Sequence, residues 1–368
     1  MGIRKKKDKK RRNPFLSLSF RLVAAIFCLF LMLSYVSVLI DPAAFPLAGF
    51  FGLYFIPVLT VNVLLLIAAL LRWSSSAWIP AIAILPSLFF AGCFFQPGDR
   101  SASMATADSP SVKIMTWNVG GFRSGTERDA GRCLQDIAAI IKAENPDIVS
   151  LQEYRTGDAQ SLRSTFPQYP YIRHNFYRLR NGDYVGNLIL SRLPVTGEGC
   201  IEFKASTNMV LYTDISISGE QFRLFNVHLE SNNISLTSVI KKIRGGYDEF
   251  SHELAQAHEK VKKSSTRRGS QVRALLDNIS ESGLPAVICG DVNDTPMSYC
   301  YRKLKKGRID TFREAGMGFG ATYRLLWPLL RIDYVFVPGH TEVLGHRSLR
   351  VGCSDHYPVI VTISDIEK

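Results

Sequence analysis

The chain has 368 residues, of which 46% are hydrophobic, and a formal net charge of +12. The charge is uneven: residues 1–100 hold 11 Lys and Arg against 3 Asp and Glu, a balance of +8, and the remaining residues carry only +4. This length suits one large domain or two ordinary ones, and seven cysteines with no C-x-x-C pair argue against a zinc site or a disulfide framework.

The basic run is "RKKKDKKRR", Arg4 to Arg12, and three apolar runs follow it. Leu22 to Ile40 is nineteen residues without a charge, Ala48 to Leu71 is twenty-four with Pro57 and Asn62 as its breakers, and Ala77 to Phe95 is nineteen with Pro80 and Pro86. Roughly 20 apolar residues cross a bilayer core, so the first two predict spans. Two prolines leave the third as a span or a re-entrant segment. A cleaved signal peptide would account for one run, not three. Beside a span, the basic tail reads as a cytoplasmic anchor to anionic lipid, ahead of a nucleic-acid-binding arm. The loop Asp41 to Leu47 carries no Lys or Arg, whereas the next carries Arg72. The positive-inside rule then places the N-terminus in the cytoplasm. Three spans deliver everything after Phe95 to the extracytoplasmic side, and two would reverse that. The expected organisation is a basic cytoplasmic tail (1–21), a transmembrane region of three helices (22–95), a linker (96–111) and a soluble domain (112–368), with the lipid bilayer as a partner.

"QPGDRSASMATADSPS", Gln96 to Ser111, is the linker. "VKIMTWN" predicts a strand ending in Asn118. Glu127 to Ala143 has helical spacing, with Cys133, Leu134, Ile137, Ile140 and Ile141 on one side. "DIVSLQE" is a buried strand ending in Glu153. Strands are predicted over Val185 to Arg192, Met209 to Ser218 and Phe222 to Glu230, the last carrying His228 near its end. A long polar, partly helical stretch, Ser231 to Ser280, leads to the strand "AVICGDVN", and "IDYVFV" and "HYPVIVTIS" complete the domain. Strands mixed with helices predict an α/β domain with mixed sheets, and the strands suffice for two sheets face to face. The five cysteines of this part read as small core residues, one pair of which could oxidise outside the cytoplasm.

Polar residues gather where strands end: Asn118, Glu153, His228, Asp291 and Asn293. Asp333 opens a strand, and Asp355 and His356 precede another. Asn and Asp at a strand end usually only make turns. Strand ends converging on one rim are, however, where α/β folds build sites. These residue types suit phosphoester hydrolysis, in which carboxylate and amide oxygens hold a hard divalent cation and imidazoles contact phosphate or relay protons.

"TWNVGGFR", "DIVSLQEY", "GNLILSRLPV", "FNVHLES", "ICGDVNDTP", "RIDYVFV" and "CSDHYPV", in this order, resemble the signature blocks of the endonuclease/exonuclease/phosphatase superfamily over roughly residues 112–365. The resemblance implies a four-layer α/β sandwich, two mixed sheets face to face with helices outside. It also implies metal ligands at Glu153, Asn118 and Asp355, with Mg2+ or Mn2+ as the cofactor. Asp291 would orient or deprotonate the attacking water, and Asn293 would hold the scissile phosphate or that water. His356, backed by Asp333, would donate to a phosphate oxygen, with His228 as a second donor. The sequence departs from abasic-site endonucleases at Gly120, where they carry an acidic residue, and at His228, where they use Tyr. The implied function is a membrane-anchored metal-dependent phosphoesterase, either a nuclease or a lipid phosphodiesterase; the alternative is a catalytically silent binding module on the same scaffold.

Two segments bear on the substrate. Ser231 to Gln271 sets Lys241, Lys242, Arg244, Lys260, Lys262, Lys263, Arg267 and Arg268 against four acidic residues. It reads as a basic flap for a phosphate backbone or anionic headgroups, or as a solvated loop. "RLLWPLL", Arg324 to Leu330, reads either as a loop dipping into the membrane interface or as one packed on the sheets, and exposure of Trp327 distinguishes the two.

Overall fold

A computed structural model of the protein describes residues 14–98, 111–122, 130–232, 234, 247–364 and 366. The apolar runs at the start form helices. The first is α1 (Pro14–Ser37). The second run divides at Tyr54 into α2 (Ala48–Leu53) and α3 (Phe55–Leu71). The third breaks around its prolines into α4 (Trp78–Ile84), a 3-10 turn and α5 (Leu88–Ala91). These helices share a small core of Leu31, Val38, Phe55 and Ala83, and buried Asn62 donates from Nδ2 to the Phe27 carbonyl at 3.0 Å. Of the three expected spans, one stretch among the described residues, Leu18–Ser37, is long and apolar enough to cross a membrane. The 17 residues of α3 reach about 25 Å at 1.5 Å per residue, short of a hydrocarbon core of about 30 Å.

The rest of the chain forms β1 (Phe95–Gln96), β2 (Ser111–Asn118), α6 (Ala130–Glu144), β3 (Ile148–Thr156), α7 (Leu162–Thr165), β4 (Tyr171–Arg178), β5 (Tyr184–Ser191), β6 (Val195–Glu202), β7 (Met209–Ile217) and β8 (Glu220–His228). Then come α8 (Tyr247–Ser282), β9 (Ala286–Asp291), α9 (Tyr299–Lys305), β10 (Arg308–Asp310), α10 (Thr311–Ala315), β11 (Gly318–Phe319), β12 (Asp333–Pro338), β13 (Glu342–Ser348) and β14 (Val359–Ser364). One sheet runs β13-β14-β2-β3-β5-β4 and the other β10-β12-β9-β8-β7-β6; β1 pairs with β11 in a two-stranded ribbon. The β2/β3 and β8/β9 pairs are parallel, each joined across a helix, and their neighbours are antiparallel, so both sheets are mixed.

The period-2 alternation of the strands assigns the layers. Ile114, Ile148, Ile189 and Val361 of one sheet meet Leu224, Val287, Cys289 and Val335 of the other in the central core. Met115, Trp117, Val149 and Leu188 face the opposite way, onto Cys133, Ile137 and Ile141 of α6. Phe225, Val227 and Ile288 face outward from the second sheet onto Val272 and Leu275 of α8 and Cys300 and Leu304 of α9. The protein is therefore a four-layer α/β sandwich. Residue Asn145 ends α6 in the left-handed region (φ 51°), a C-terminal device that Asn tolerates and that Pro146 makes final. All seven cysteines are free thiols.

The sequence left two segments open. The polar, partly helical stretch is the long helix α8 from Tyr247 onward. There Arg267 pairs with Glu230 at 2.5 Å and buried Arg268 with Asp294 at 3.3 Å, so two of its cations turn inward. Lys241, Lys242 and Arg244 lie outside the described residues. In the Arg324–Leu330 loop the side chains divide. Leu325, Trp327 and Leu329 are exposed, with Trp327 lying under the Arg350 guanidinium at 4.0 Å, while Leu326 and Leu330 line a cavity.

Candidate active site

Pairing register brings the polar residues to one edge of both sheets. His228 at the end of β8 stands opposite Asp291 at the end of β9, and Asp333 at the start of β12 stands opposite Asp291 from the other side. Asn118 ends β2 opposite Gln152, the neighbour of Glu153. Glu153 sits where the β3/β5 pairing slips between Leu151 and Tyr154, and its φ of 52° is left-handed; Asn293, just past β9, has φ 55°. Left-handed backbone at a non-glycine residue is costly and persists where the surroundings enforce it, often at sites.

Asp291 is the hub. Its Oδ2 accepts from Asn118 Nδ2 at 3.0 Å and Asn293 Nδ2 at 3.0 Å, and its Oδ1 accepts from the Asn293 backbone N–H at 2.8 Å. Asn118 Nδ2 also donates to Glu153 Oε1 at 3.2 Å, and Asn118 Oδ1 accepts from the Gly120 N–H at 3.0 Å. His356 meets Asp333 through Nδ1 at 2.9 Å and directs Nε2 toward Asp291 Oδ2 at 3.8 Å. His228 Nε2 is buried without a hydrogen bond and lies 3.5 Å from Glu153 Oε1. Asn118, Glu153, Asp291, Asn293, Asp355 and His356 line one cavity of about 380 Å³; Asp333 stands behind His356, and His228 beside Glu153. All eight residues picked from the sequence thus come together.

Charge follows from this packing. Burial and the adjacent Asp333 carboxylate raise Asp291 to about 6, against the lowering pull of His356 and His228. Burial opposes charging of His356, but Asp333 and Asp291 outweigh it and lift the imidazole to about 10, so it is cationic at neutral pH. The phenol of Tyr323, edge-on to His356 at 5.2 Å, is pushed up to about 12 by burial and by the negative charges of Asp355, Asp291 and Glu153. Three carboxylates therefore focus their field on one cavity.

Two groups could hold a cation. Oxygen and nitrogen atoms of Asp291, Asp333 and His356 all lie within 4.8 Å of one another. Their hydrogen bond, however, already commits His356 Nδ1 to Asp333. Glu153 and Asp355 instead face the cavity, with the Asn118 amide between Glu153 and Asp291. That hard-oxygen donor set, in a field left negative, fits Mg2+ or Mn2+.

Several residues of the site had not been singled out in the sequence. Gln152 donates to Asn226 Oδ1 at 2.8 Å, Asn226 donates to the Leu151 and Leu188 carbonyls, and Asn187 donates to the Asn226 carbonyl, stitching the two sheets beneath the edge that carries these polar residues. The signal was present as an amide at a buried position of an apolar strand, as in "GNLILS" and "FNVH". Gly49 and Leu53 of α2 also line the cavity, and no local pattern pointed to them.

The sequence profile of the Endonuclease/Exonuclease/phosphatase family matches residues 115–356, a stretch that includes all eight site residues. A separate profile, a domain of unknown function, matches residues 17–94. A search of curated proteins finds no match. Solved structures similar in fold include an endonuclease/exonuclease/phosphatase from Bacteroides vulgatus, with 18% identity and a TM-score of 0.51 over 70% of this chain and 99% of that one. A family protein from Leptotrichia buccalis has 17% identity and a TM-score of 0.51 over 69% of this chain and 100% of that one. D. rerio TDP2, complexed with a single-strand DNA product, has 18% identity and a TM-score of 0.51 over 69% of this chain and 99% of that one. Matched over more than half its length, and folded as the same two-sheet sandwich, the chain belongs to the Endonuclease/Exonuclease/phosphatase family.

Proposed function

We propose that the protein is a divalent-metal-dependent hydrolase of phosphoester bonds, held at a membrane by its N-terminal helices. The observation that carries the reading is the convergence of Glu153, Asp291 and Asp355 with a cationic His356 on a single cavity. Glu153 and Asp355, with Asn118, would hold the cation, which when bound supplies charge stabilisation for the phosphoryl oxygens and activates water.

The chain's own groups do the rest. Asp291, fixed by Asn118 and Asn293, positions the attacking water and accepts its proton. His356 keeps one N–H on Asp333 and offers the other to a phosphoryl oxygen, where charge develops in the transition state. His228 Nε2, buried without a hydrogen bond, is a second donor to the same group. Anchoring rests on α1. It also packs against the chain beyond it: Asn62 bonds its Phe27 carbonyl, and Ser37 Oγ reaches the Met297 carbonyl at 3.5 Å, contacts expected of a helix retained in the mature protein.

The test is turnover of bis(p-nitrophenyl) phosphate by the full chain with Mg2+ or Mn2+ and with a chelator. Chelation should abolish turnover, and Asp291→Asn and His356→Ala should each lower kcat by about 10²-fold or more. Wild-type turnover in Asp291→Asn would remove its assigned role, and chelator-insensitive turnover would remove the metal.

A further inference from the structure

The cavity over the polar edge of the sheets also has apolar walls. Beside Glu153, Asp291 and His356 it is walled by Leu53 of α2, Val261 of α8, and Leu326, Leu330 and Ile332. The Leu53 wall belongs to the helical unit, which therefore does more than tether the sandwich.

The seat of α2 is specific. Gly49 and Gly52 are three residues apart and share a helix face. A Cβ at Gly49 would come within 2.2 Å of Ser265 Oγ, and one at Gly52 within 2.1 Å of the Met297 carbonyl oxygen, which cannot yield without moving backbone. Thr295 Oγ1 donates to the Gly52 carbonyl at 3.3 Å, and Arg273 pairs with Asp41 on the loop before α2. Glycine lets the helix approach closely enough for Leu53 to reach the cavity.

The apolar character continues outside. Phe95, at the end of the helical unit, pairs with Phe319 in the β1/β11 ribbon, and Phe319 packs edge-on against Trp327. Phe95, Phe319, Trp327 and Leu329 are all exposed, joining the apolar helices to the rim loop that carries Leu326 and Leu330. A nucleic acid strand would set charged phosphates against these leucines, whereas a hydrocarbon chain would lose its contact with water there.

We propose that the substrate is a phosphoester bearing an aliphatic arm, with the phosphate at Asp291 and His356 and the arm along Leu53, Val261 and Leu326. The proposal rests on the phosphoester-hydrolase reading above and adds the substrate class. Its test is direct binding of ethylphosphonate and octylphosphonate to the full chain in amphipol with Mg2+, by calorimetry, alongside turnover of ethyl and octyl p-nitrophenyl phosphates. Octylphosphonate should bind at least about tenfold tighter than ethylphosphonate, a modest share of what six added methylenes can yield. Leu53→Asn and Leu326→Asn, on separate elements, should each narrow that ratio, with ethylphosphonate binding reporting that the polar end is intact. A flat ratio in the wild type, ratios unchanged in both variants, or a single-stranded oligonucleotide turned over more efficiently than the octyl ester would overturn the proposal. A preserved ratio with no turnover of any ester would remove the hydrolase reading and leave the apolar subsite standing.

Discussion

His356 Nδ1 lies 2.9 Å from Asp333 Oδ2, and this contact turns the imidazole so that Nε2 faces Asp291 and the cavity. Asp333 thus supplies both orientation and charge. Asp333→Asn keeps the shape but removes the carboxylate, and burial then opposes protonation with less to offset it. The sign is definite: with His356 lifted to about 10, activity that needs its charged form persists through neutral pH and falls as pH rises through that value. In Asp333→Asn the alkaline fall should begin about two pH units lower or more. A kcat/KM profile across the alkaline range measures it, and superimposable profiles would show that His356 charge is not required.

Metal binding can be read without catalysis. Glu153, Asp291 and Asp355 gather their carboxylates on one cavity, and a cation held there would bind the folded protein alone. Mg2+ or Mn2+ in large excess over its dissociation constant should raise Tm by several degrees. Glu153→Gln should abolish most of that rise while melting no lower than wild type in chelator, because it removes one of the carboxylate charges gathered at the cavity. An equal metal-induced rise in both proteins would place the cation elsewhere.

The candidate site was legible in the sequence because its polar residues lie beside buried strands with strong apolar patterns. "VKIMTWN", "DIVSLQE" and "AVICGDVN" each deliver their polar residue to the edge by simple register. The edge strands β4 and β6 were not, since Tyr171–Arg178 and Val195–Glu202 are half-buried, with polar residues on both faces. The apolar runs gave helices, but their lengths depended on tertiary contact. Gly49 and Gly52 read as ordinary members of a long apolar run, and only the closeness of Ser265 and Met297 shows that α2 is a separate element seated on the sandwich. Likewise "RLLWPLL" could be read as buried or as membrane-facing, and its neighbours take opposite sides.

A buried ion pair ties the helical unit to the second sheet. Arg331, 2% exposed, pairs with Asp310, which also accepts from Tyr301 Oη at 2.6 Å; Arg331 donates to the Cys93 carbonyl at 2.9 Å and stacks between Phe312 and Tyr334. Arg331→Met leaves Asp310 charged and unpaired in the interior, which should cost about 3–5 kcal/mol. Adding Asp310→Asn removes that orphaned charge and should recover part of the loss. Denaturant midpoints for the single and double variants measure this coupling; simple additivity would show that the two residues do not depend on one another.

His346 should make the protein acid-sensitive. Its Nδ1 lies 2.9 Å from Thr311 Oγ1 and its ring packs edge-on to Phe312. Burial, reinforced by the Arg331 guanidinium, depresses the imidazole to about 3. The folded state therefore keeps it neutral where the unfolded chain takes up a proton, so its contribution is complete above the ordinary histidine value and is lost as pH falls toward 3. Asp291, raised to about 6, opposes this slope in the acid range, and His356, raised to about 10, acts above neutrality; both are shared by wild type and variant and cancel in their difference. His346→Gln retains a hydrogen-bonding group for Thr311 but does not titrate. It should cost about 1 kcal/mol at neutral pH, and the difference should move against wild type by on the order of 1–2 kcal/mol between about pH 7 and pH 5, enough to cancel or reverse it. Unfolding midpoints at the two pH values measure the gap, and a gap that does not change would show that His346 protonates without disturbing the fold.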